Sequence, residues 1–267
     1  MGLSGPCAKS LRPWPPEVIS AAMSELELLY RDDVLVIVNK PSGIAVHKGM
    51  DRSSDNVLTR LRRQLHAWVW PVHRLDRATS GVLVFGLNEE AAAALGGLFA
   101  RGEVKKHYLA WTRGIPDPQC GFIDHPVPKS EESEERIAAR TRYATCSIAS
   151  DPRTSLPRYA LVACAPETGR YHQIRRHLKH LNCPVLGDTT YGDGKENRAL
   201  RELAGLQRLA LHASALTLPH PLEEGRILEL SAPLPEDLRI PMKHYGLTDD
   251  ALQSASAFRV PPRDVAP

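Results

Sequence analysis

His73-Arg74-Leu75-Asp76-Arg77-Ala78-Thr79-Ser80-Gly81 packs a carboxylate, two guanidinium groups, two hydroxyls and a glycine into nine residues, then runs directly into the apolar Val82-Leu83-Val84-Phe85. A polar turn feeding a buried strand is where a fold can hold one carboxylate at a fixed position. On chemistry alone two readings stand. Asp76 is a turn residue paired with Arg74 or Arg77, or it is a catalytic group presented by a rigid strand.

Outward from this stretch the pattern is one of strands with helices interspersed irregularly. Residues 26–30 and 34–39 read as two strands joined at Arg31-Asp32-Asp33. Asp55 is expected to cap a helix to about residue 66, with Leu58, Leu61 and Leu65 on one face. Residues 81–87 form a strand, Asn88 caps an Ala-rich helix to Phe99, and 105–112 alternates as a further strand. Residues 129–155 are the least regular interior segment, with a strand at 143–148; strands follow at 158–165, 209–218 and 226–230, and a short helix at 172–181. Without strict strand–helix–strand alternation the class is α+β, with a mixed, mainly antiparallel sheet and flanking helices.

The chain has 267 residues, 42% of them hydrophobic, which is enough for a sizeable core. Its longest apolar runs, 34–38 and 81–87, are too short for a membrane-spanning helix, and the first sixteen residues have no apolar h-region of a secretory leader. Five scattered cysteines (Cys7, Cys120, Cys146, Cys164, Cys183) without a C-x-x-C pair read as reduced thiols of a cytoplasmic protein. Net charge is only +3, but residues 57–75 and 168–187 carry arginines, lysine and histidines with no acid. Such stretches suit a polyanionic partner, or else form solvated helix faces.

Four further strings accompany the first. Asn39-Lys40-Pro41-Ser42-Gly43 ends a strand with turn residues; Lys106-His107-Tyr108-Leu109-Ala110 lies in a strand; Thr168-Gly169-Arg170-Tyr171-His172-Gln173-Ile174-Arg175-Arg176-His177-Leu178 opens a basic helix; and Pro184-Val185-Leu186-Gly187-Asp188 precedes Tyr191-Gly192. Leu211-His212-Ala213 and His220-Pro221 close the series. His172, His177 and His180 lack the acidic partner of an H-E-x-x-H zinc motif, so no metal is expected. Together these strings, in this order, resemble the RluA-type pseudouridine synthases over residues 26 to about 235. The resemblance departs at Thr112, where relatives more often carry an aliphatic residue, and at Cys183, where they carry His.

The resemblance implies the pseudouridine synthase fold, with a central RNA-binding cleft and one catalytic domain over 25–245. Residues 1–24 would be a disordered extension and 246–267 a flexible tail. It makes Asp76 the catalytic carboxylate, Arg175 its ion-pair partner and Tyr108 the ring against the target uracil. Lys40, Arg74, Arg77, Thr79, Arg170, His172 and Gln173 become candidate substrate contacts, Lys40 with packing as its alternative role. No cofactor is implied, and no G-x-G-x-x-G or P-loop occurs. The partner is RNA, and the short form, without an S4-type domain, points to uridine 65 of tRNA, with ribosomal RNA as the alternative target. From another class, an RNA-remodelling protein without chemistry would share the basic stretches but gives no reason for Asp76 and Arg175 to lie in matching motifs. Monomer is the default state.

Overall fold

Residues 80–86 leave no face for water, and a strand of that kind belongs in the middle of a sheet. The computed structural model describes residue 12, residues 24–48 and residues 55–260. The expected extension over 1–24 therefore lies almost wholly outside the described residues. In chain order the elements are β1 (Glu27–Arg31), β2 (Leu35–Lys40), α1 (Val57–Leu65), β3 (Trp70–Pro71), β4 (Ser80–Gly86), α2 (Glu89–Arg101), β5 (Lys105–Arg113), β6 (Cys120–Asp124), β7 (Val127–Pro128), β8 (Arg136–Ile137), β9 (Arg140–Ser150), β10 (Pro157–Pro166), α3 (Gln173–His180), α4 (Gly194–Ala204), β11 (Leu211–Pro219), β12 (Ile227–Ser231), α5 (Glu236–His244) and α6 (Asp249–Ala257).

The main sheet runs β1-β2-β4-β11-β5-β10-β9-β6, with β3 on β4 and β12 on β11. All pairings are antiparallel except β4 with β11, which meet over two register pairs, His212 with Ser80 and Ala213 with Gly81. The mixed, mainly antiparallel sheet matches the expectation. Alternation along the β2 and β4 strands sorts their side chains into two cores: Val36, Val38, Leu83 and Phe85 pack with α1 on one face, while Leu35, Ile37, Val82 and Val84 pack with α2 on the other. Burying each such side chain contributes roughly 1.5–3 kcal/mol. A third core joins β5, β10 and β11 to α3–α6. Tyr108 touches both this core and the α1 core, so it sits where the two halves of the sheet meet.

Three local expectations change. Asn56, not Asp55, caps α1, its side chain accepting the Thr59 N–H at 2.9 Å, while Asp55 grips Arg60 with both oxygens at 2.6 Å. The strand expected at 143–148 spans 140–150, because β10 and β6 pair with it on either side. The tail expected to be flexible beyond 245 contains α6, capped by Thr248 and seated through Leu252 and Ala255 in the core that Val260 also joins. α2, by contrast, starts at the expected cap, with Asn88 accepting from Ala91 N–H at 2.8 Å.

The parallel seam is closed by a glycine. Gly81 has φ +113°, and a Cβ there would lie 2.1 Å from the Ala213 carbonyl oxygen. The backbones approach too closely for any side chain. Gly81→Ala is expected to cost about 3 kcal/mol or more, through strain and overpacking together; a urea melt within about 1 kcal/mol of the parent's would contradict it.

Candidate active site

The loop from β3 to β4 carries Asp76, and it is fixed from three sides. His73, at its start, stacks on Phe99 with ring centroids 4.5 Å apart and accepts the Val84 N–H on Nε2 at 3.0 Å. Burial, helped by the Lys106 charge, pushes this imidazole down to about 3, so it stays a neutral acceptor. On the second side Lys40 is fully buried and its ammonium donates to the carbonyls of Pro41, Ile44 and Arg77 at 2.8–3.1 Å. Ser42 Oγ donates to Ala78 O at 2.8 Å, and Arg77 and Gly43 bond each other's backbone carbonyls. Of the two roles open to Lys40, substrate contact or packing, the structure favours the second: with all three donors spent on carbonyls it locks the 41–44 loop to the Asp76 loop, although burial and the Arg208 charge push its ammonium down to about 7.

The third support lies at the seam. Arg208 donates to Ser80 Oγ at 2.8 Å, and that hydroxyl lies 2.8 Å from His212 Nδ1. Since Arg208 only donates, Ser80 gives its proton to Nδ1, and the His212 Nε2–H bonds the Ala232 carbonyl at 3.2 Å. Burial holds His212 down to about 4 and therefore neutral in this role.

Across the cleft α3 brings Arg175 to Asp76. Arg175 Nη1 donates to Asp76 Oδ2 at 3.4 Å, a long bond, whereas its Nε and Nη2 grip Asp188 at 2.7 and 2.8 Å. Asp188 has no exposed side-chain surface, and its Oδ1 also accepts the N–H groups of Thr190 and Tyr191 at 2.9 Å. Burial would raise its carboxyl, but the Arg175 bonds and these N–H groups outweigh that and hold it below the ordinary value. Arg175 is thus a guanidinium oriented by a buried carboxylate, with one edge left for Asp76. The backbone behind Asp188 is equally constrained. Gly187, at φ +74°, lies against the Arg208 carbonyl where a Cβ would come within 1.9 Å, and Asn197 of α4 bonds both Gly187 N–H and Asp188 O.

His172 precedes α3 in the left-handed region (φ 52°) rather than inside the helix as expected. Its Nε2 is 3.7 Å from Asp76 Oδ2, its Nδ1 is 3.1 Å from the Tyr191 hydroxyl, and its ring stacks on Tyr171 at 3.8 Å. Burial pushes the imidazole down, against the pull of Asp76. Tyr191 in turn lies under the guanidinium groups of Arg175 and Arg176, at 5.0 and 4.9 Å from the ring centre. Tyr108 faces the same space half-buried; burial and the nearby Asp76 hold its hydroxyl well above the ordinary tyrosine value and so protonated. Two residues earlier on the strand, Lys106 donates to Thr168 O at 3.2 Å and is pushed by burial down to about 8.

The remaining expected contacts divide. Gln173 is buried with all four positions used: Oε1 accepts from Thr168 Oγ1 and Arg170 N–H, and Nε2 donates to Arg140 O and Thr141 Oγ1. It ties the segment before α3 to β9 and has nothing left for a ligand, which corrects that expectation. Arg74, Arg77 and Arg170 are exposed, Arg170 with one bond to Ala138 O. Thr79 is buried, and its hydroxyl finds no partner among the described residues. His177 is buried between Thr141 Oγ1 and the His125 carbonyl, and His180 stacks on His125, so the three histidines of this segment point to different neighbours. Asp188, Tyr191, Tyr171 and Lys106 belong to the site without having been singled out. Their strings were visible, but no spacing rule says that Asp188 closes back on Arg175.

The arrangement offers a carboxylate with about a quarter of its side chain open (23%), bonded by a guanidinium, with an imidazole and a phenol ring near it and arginines at the rim. The sequence profile of the family described as RNA pseudouridylate synthase matches residues 34–180. The chain is 39% identical over 236 residues to tRNA pseudouridine synthase C of Haemophilus ducreyi, covering 83% of this chain and 96% of that protein. It is 38% identical over 245 residues to the protein of the same name from Vibrio cholerae, covering 86% of this chain and 100% of that one. Among solved structures it is similar to human RNA pseudouridylate synthase domain containing 4, with a TM-score of 0.68 and 28% identity over 82% of this chain and 92% of that one.

Asp188→Asn strands a buried guanidinium and is expected to cost about 3–5 kcal/mol, while Asp76→Asn, which loses one long contact, costs under about 1 kcal/mol. The pH dependence has a definite sign. With its folded value depressed, Asp188 contributes stability fully above the unfolded carboxylate value of 3.8 and loses it as pH falls through the lower folded value. Urea melts between about pH 2 and 7 test both: equal costs for the two variants, or an acid slope unchanged in Asp188→Asn, would refute this reading.

Proposed function

This chain belongs to the RNA pseudouridylate synthase family, and from that premise we propose that it isomerises uridine 65 of tRNA, with Asp76 as its catalytic carboxylate, Arg175 as its positioning partner and Tyr108 as the ring that receives the base. The observation that carries the reading is the meeting of these three side chains at the sheet seam, although they come from a loop, a helix and a strand far apart in the chain.

The reaction needs little beyond such a site. The bond between ribose C1′ and uracil N1 breaks, a bond from C1′ to uracil C5 forms, C5 loses its proton and N1 gains one. Atoms balance without a donor or a redox partner, and no cofactor is called for. A uridine must first leave its stack, which costs a few kcal/mol. Stacking on Tyr108 returns roughly 1–3 kcal/mol. Asp76 then acts as nucleophile at C1′ or at uracil C6, or as base at ribose C2′. Each route asks for a carboxylate held in one orientation while the ring turns, which is what Arg175 and His172 supply. Arg74, Arg77 and Arg170 lie exposed for the phosphates on either side, and the unpartnered Thr79 hydroxyl is a candidate contact to the flipped nucleotide. No described helix is long and apolar enough to cross a membrane. We place the protein in the cytoplasm as a monomer, in keeping with the free thiols of Cys120, Cys146, Cys164 and Cys183.

A pseudouridine map of unmodified tRNA and ribosomal RNA transcripts, treated with the protein alone, is expected to show one new site, tRNA position 65, absent with the folded Asp76→Asn variant. A site in ribosomal RNA would move the target, and a product formed by Asp76→Asn would remove Asp76 from the chemistry. In the same assay Tyr108→Phe keeps most of the rate, while Tyr108→Ala lowers kcat/KM about 5- to 150-fold, the equivalent of the stacking lost. Equal rates for Tyr108→Ala and the parent would exclude the stacking role.

A further inference from the structure

Behind the Asp188 loop lies a hollow of about 220 Å³, bounded by Asp188 and Thr189 on one side and by Gly194, Asn197, Arg198 and Arg201 of α4 on the other. That is several times the ~30 Å³ share of one water molecule. Helical geometry explains its composition. The inner face of α4 is fixed by Glu196, Asn197 and Leu200, which are buried, and the flank turned toward the loop therefore carries Gly194, Arg198 and Arg201. Gly194 leaves the mouth open, since a Cβ there would meet nothing within 4 Å.

We propose that Arg198 and Arg201, with the Thr189 hydroxyl, form a phosphate subsite for the RNA backbone outside the catalytic cleft. The inference rests on RNA being the substrate. Both arginines are exposed, and neither side chain makes a hydrogen bond or ion pair with another described residue; the exposed Glu202, one turn beyond Arg198, pairs with neither. Seven other arginines, Arg60, Arg101, Arg113, Arg153, Arg158, Arg226 and Arg239, each hold a carboxylate. Two like charges three residues apart on a helix weaken it, so their unpaired state brings no structural return. Two arginines lining one wall of a hollow, with a threonine on the other, suit a phosphodiester, which accepts bidentate donors from more than one side.

The position adds a consequence for reactivity. The wall of the hollow is the turn that holds Asp188, and Asp188 orients Arg175 toward Asp76. Asn197, on the same helix turn as Arg198, bonds the Asp188 carbonyl at 2.8 Å. A backbone phosphate seated here would place an RNA helix flanking the target uridine and press on the support of the reacting carboxylate.

The test is a salt series of tRNA-transcript binding for the full chain, its Arg198→Ala/Arg201→Ala variant and the charge-keeping Arg198→Lys/Arg201→Lys variant, with pseudouridine formation in parallel. Loss of two phosphate contacts is expected to reduce the slope of log K against log salt by about 1–2. KM for the transcript is expected to rise about tenfold, and the lysine variant to keep the parental slope. An Arg226→Ala/Arg239→Ala variant, which removes two guanidinium groups elsewhere, is expected to keep it too. A parental slope in Arg198→Ala/Arg201→Ala, or an equal drop in Arg226→Ala/Arg239→Ala, overturns the subsite. The proposed reaction fails separately: a parent that binds transcripts and makes no pseudouridine defeats that reading, while the binding slopes still decide the subsite.

Discussion

A guanidinium shared between two carboxylates organises this molecule's site. Arg175 is buried, and so is Asp188; taking both out of water costs several kcal/mol per ion, which mutual attraction offsets only with good geometry and further hydrogen bonds. Here the geometry is bidentate at 2.7 and 2.8 Å, and two backbone N–H groups complete the shell of Asp188. An apolar pair of similar volume would stabilise the fold as well or better. What an apolar pair would not do is leave one N–H edge aimed across the cleft at Asp76. The long 3.4 Å contact and the partial exposure of Asp76 fit that division: rigidity is concentrated in the buried pair, and the outer carboxylate stays open to a substrate.

That division holds only if the two sides of the cleft keep their distance, and the sheet seam enforces it. β4 and β11 meet over two pairs, with Gly81 against the Ala213 carbonyl, and the Asp76 loop leaves β4 at that point. Arg208 ties the halves together, bonding Ser80 and Leu211 while its own carbonyl lies against Gly187 at the start of the Asp188 turn. The loop bearing Asp76 and the turn bearing Asp188 are therefore braced on the same residue. Functional groups on loops need such scaffolds, because a loop's own backbone gives little precision.

Much of this was legible in the chain, and the reasons for the exceptions are physical. The buried run at 81–87, the Asn88 cap and the alternation at 105–112 are local signals that survived, whereas the cap of α1 fell one residue from its expected place. Lys40 and Gln173 were read as candidate substrate contacts from the resemblance, which carries a motif but not the burial of its side chains. Their burial depends on carbonyls of Arg77 and Arg140, 37 and 33 residues distant, which no spacing reveals. α5 was hidden by Pro241 inside it, and α6 by a composition of Ala, Ser and Asp with one leucine to mark its buried face. Asp76 stood out because polar groups crowd it in sequence, although much of what surrounds it, Lys40, His172 and Arg175, comes from elsewhere in the chain. Asp188 was not, because its partner lies across a turn.

The charge balance looks poorly suited to a polyanion, at only +3 over 267 residues. Local distribution matters more than the sum: residues 57–75 and 168–187 carry no acid. Asp188 is turned inward onto Arg175; Asp151 and Glu196 are buried and bonded by Arg153, Arg158 and Tyr159. On α4 Glu196 lies inside, while Lys195, Arg198, Arg201 and Glu202 lie outside. Carboxylates neutralised in the interior contribute little field at the surface, whereas unpaired guanidinium groups near the cleft contribute fully within a Debye length of about 8–10 Å. A chain nearly neutral by count thus presents local positive surface beside Asp76. Attraction for RNA acts at short range, where it aligns a strand, rather than over the whole molecule, where it would gather nucleic acid without regard to sequence or shape.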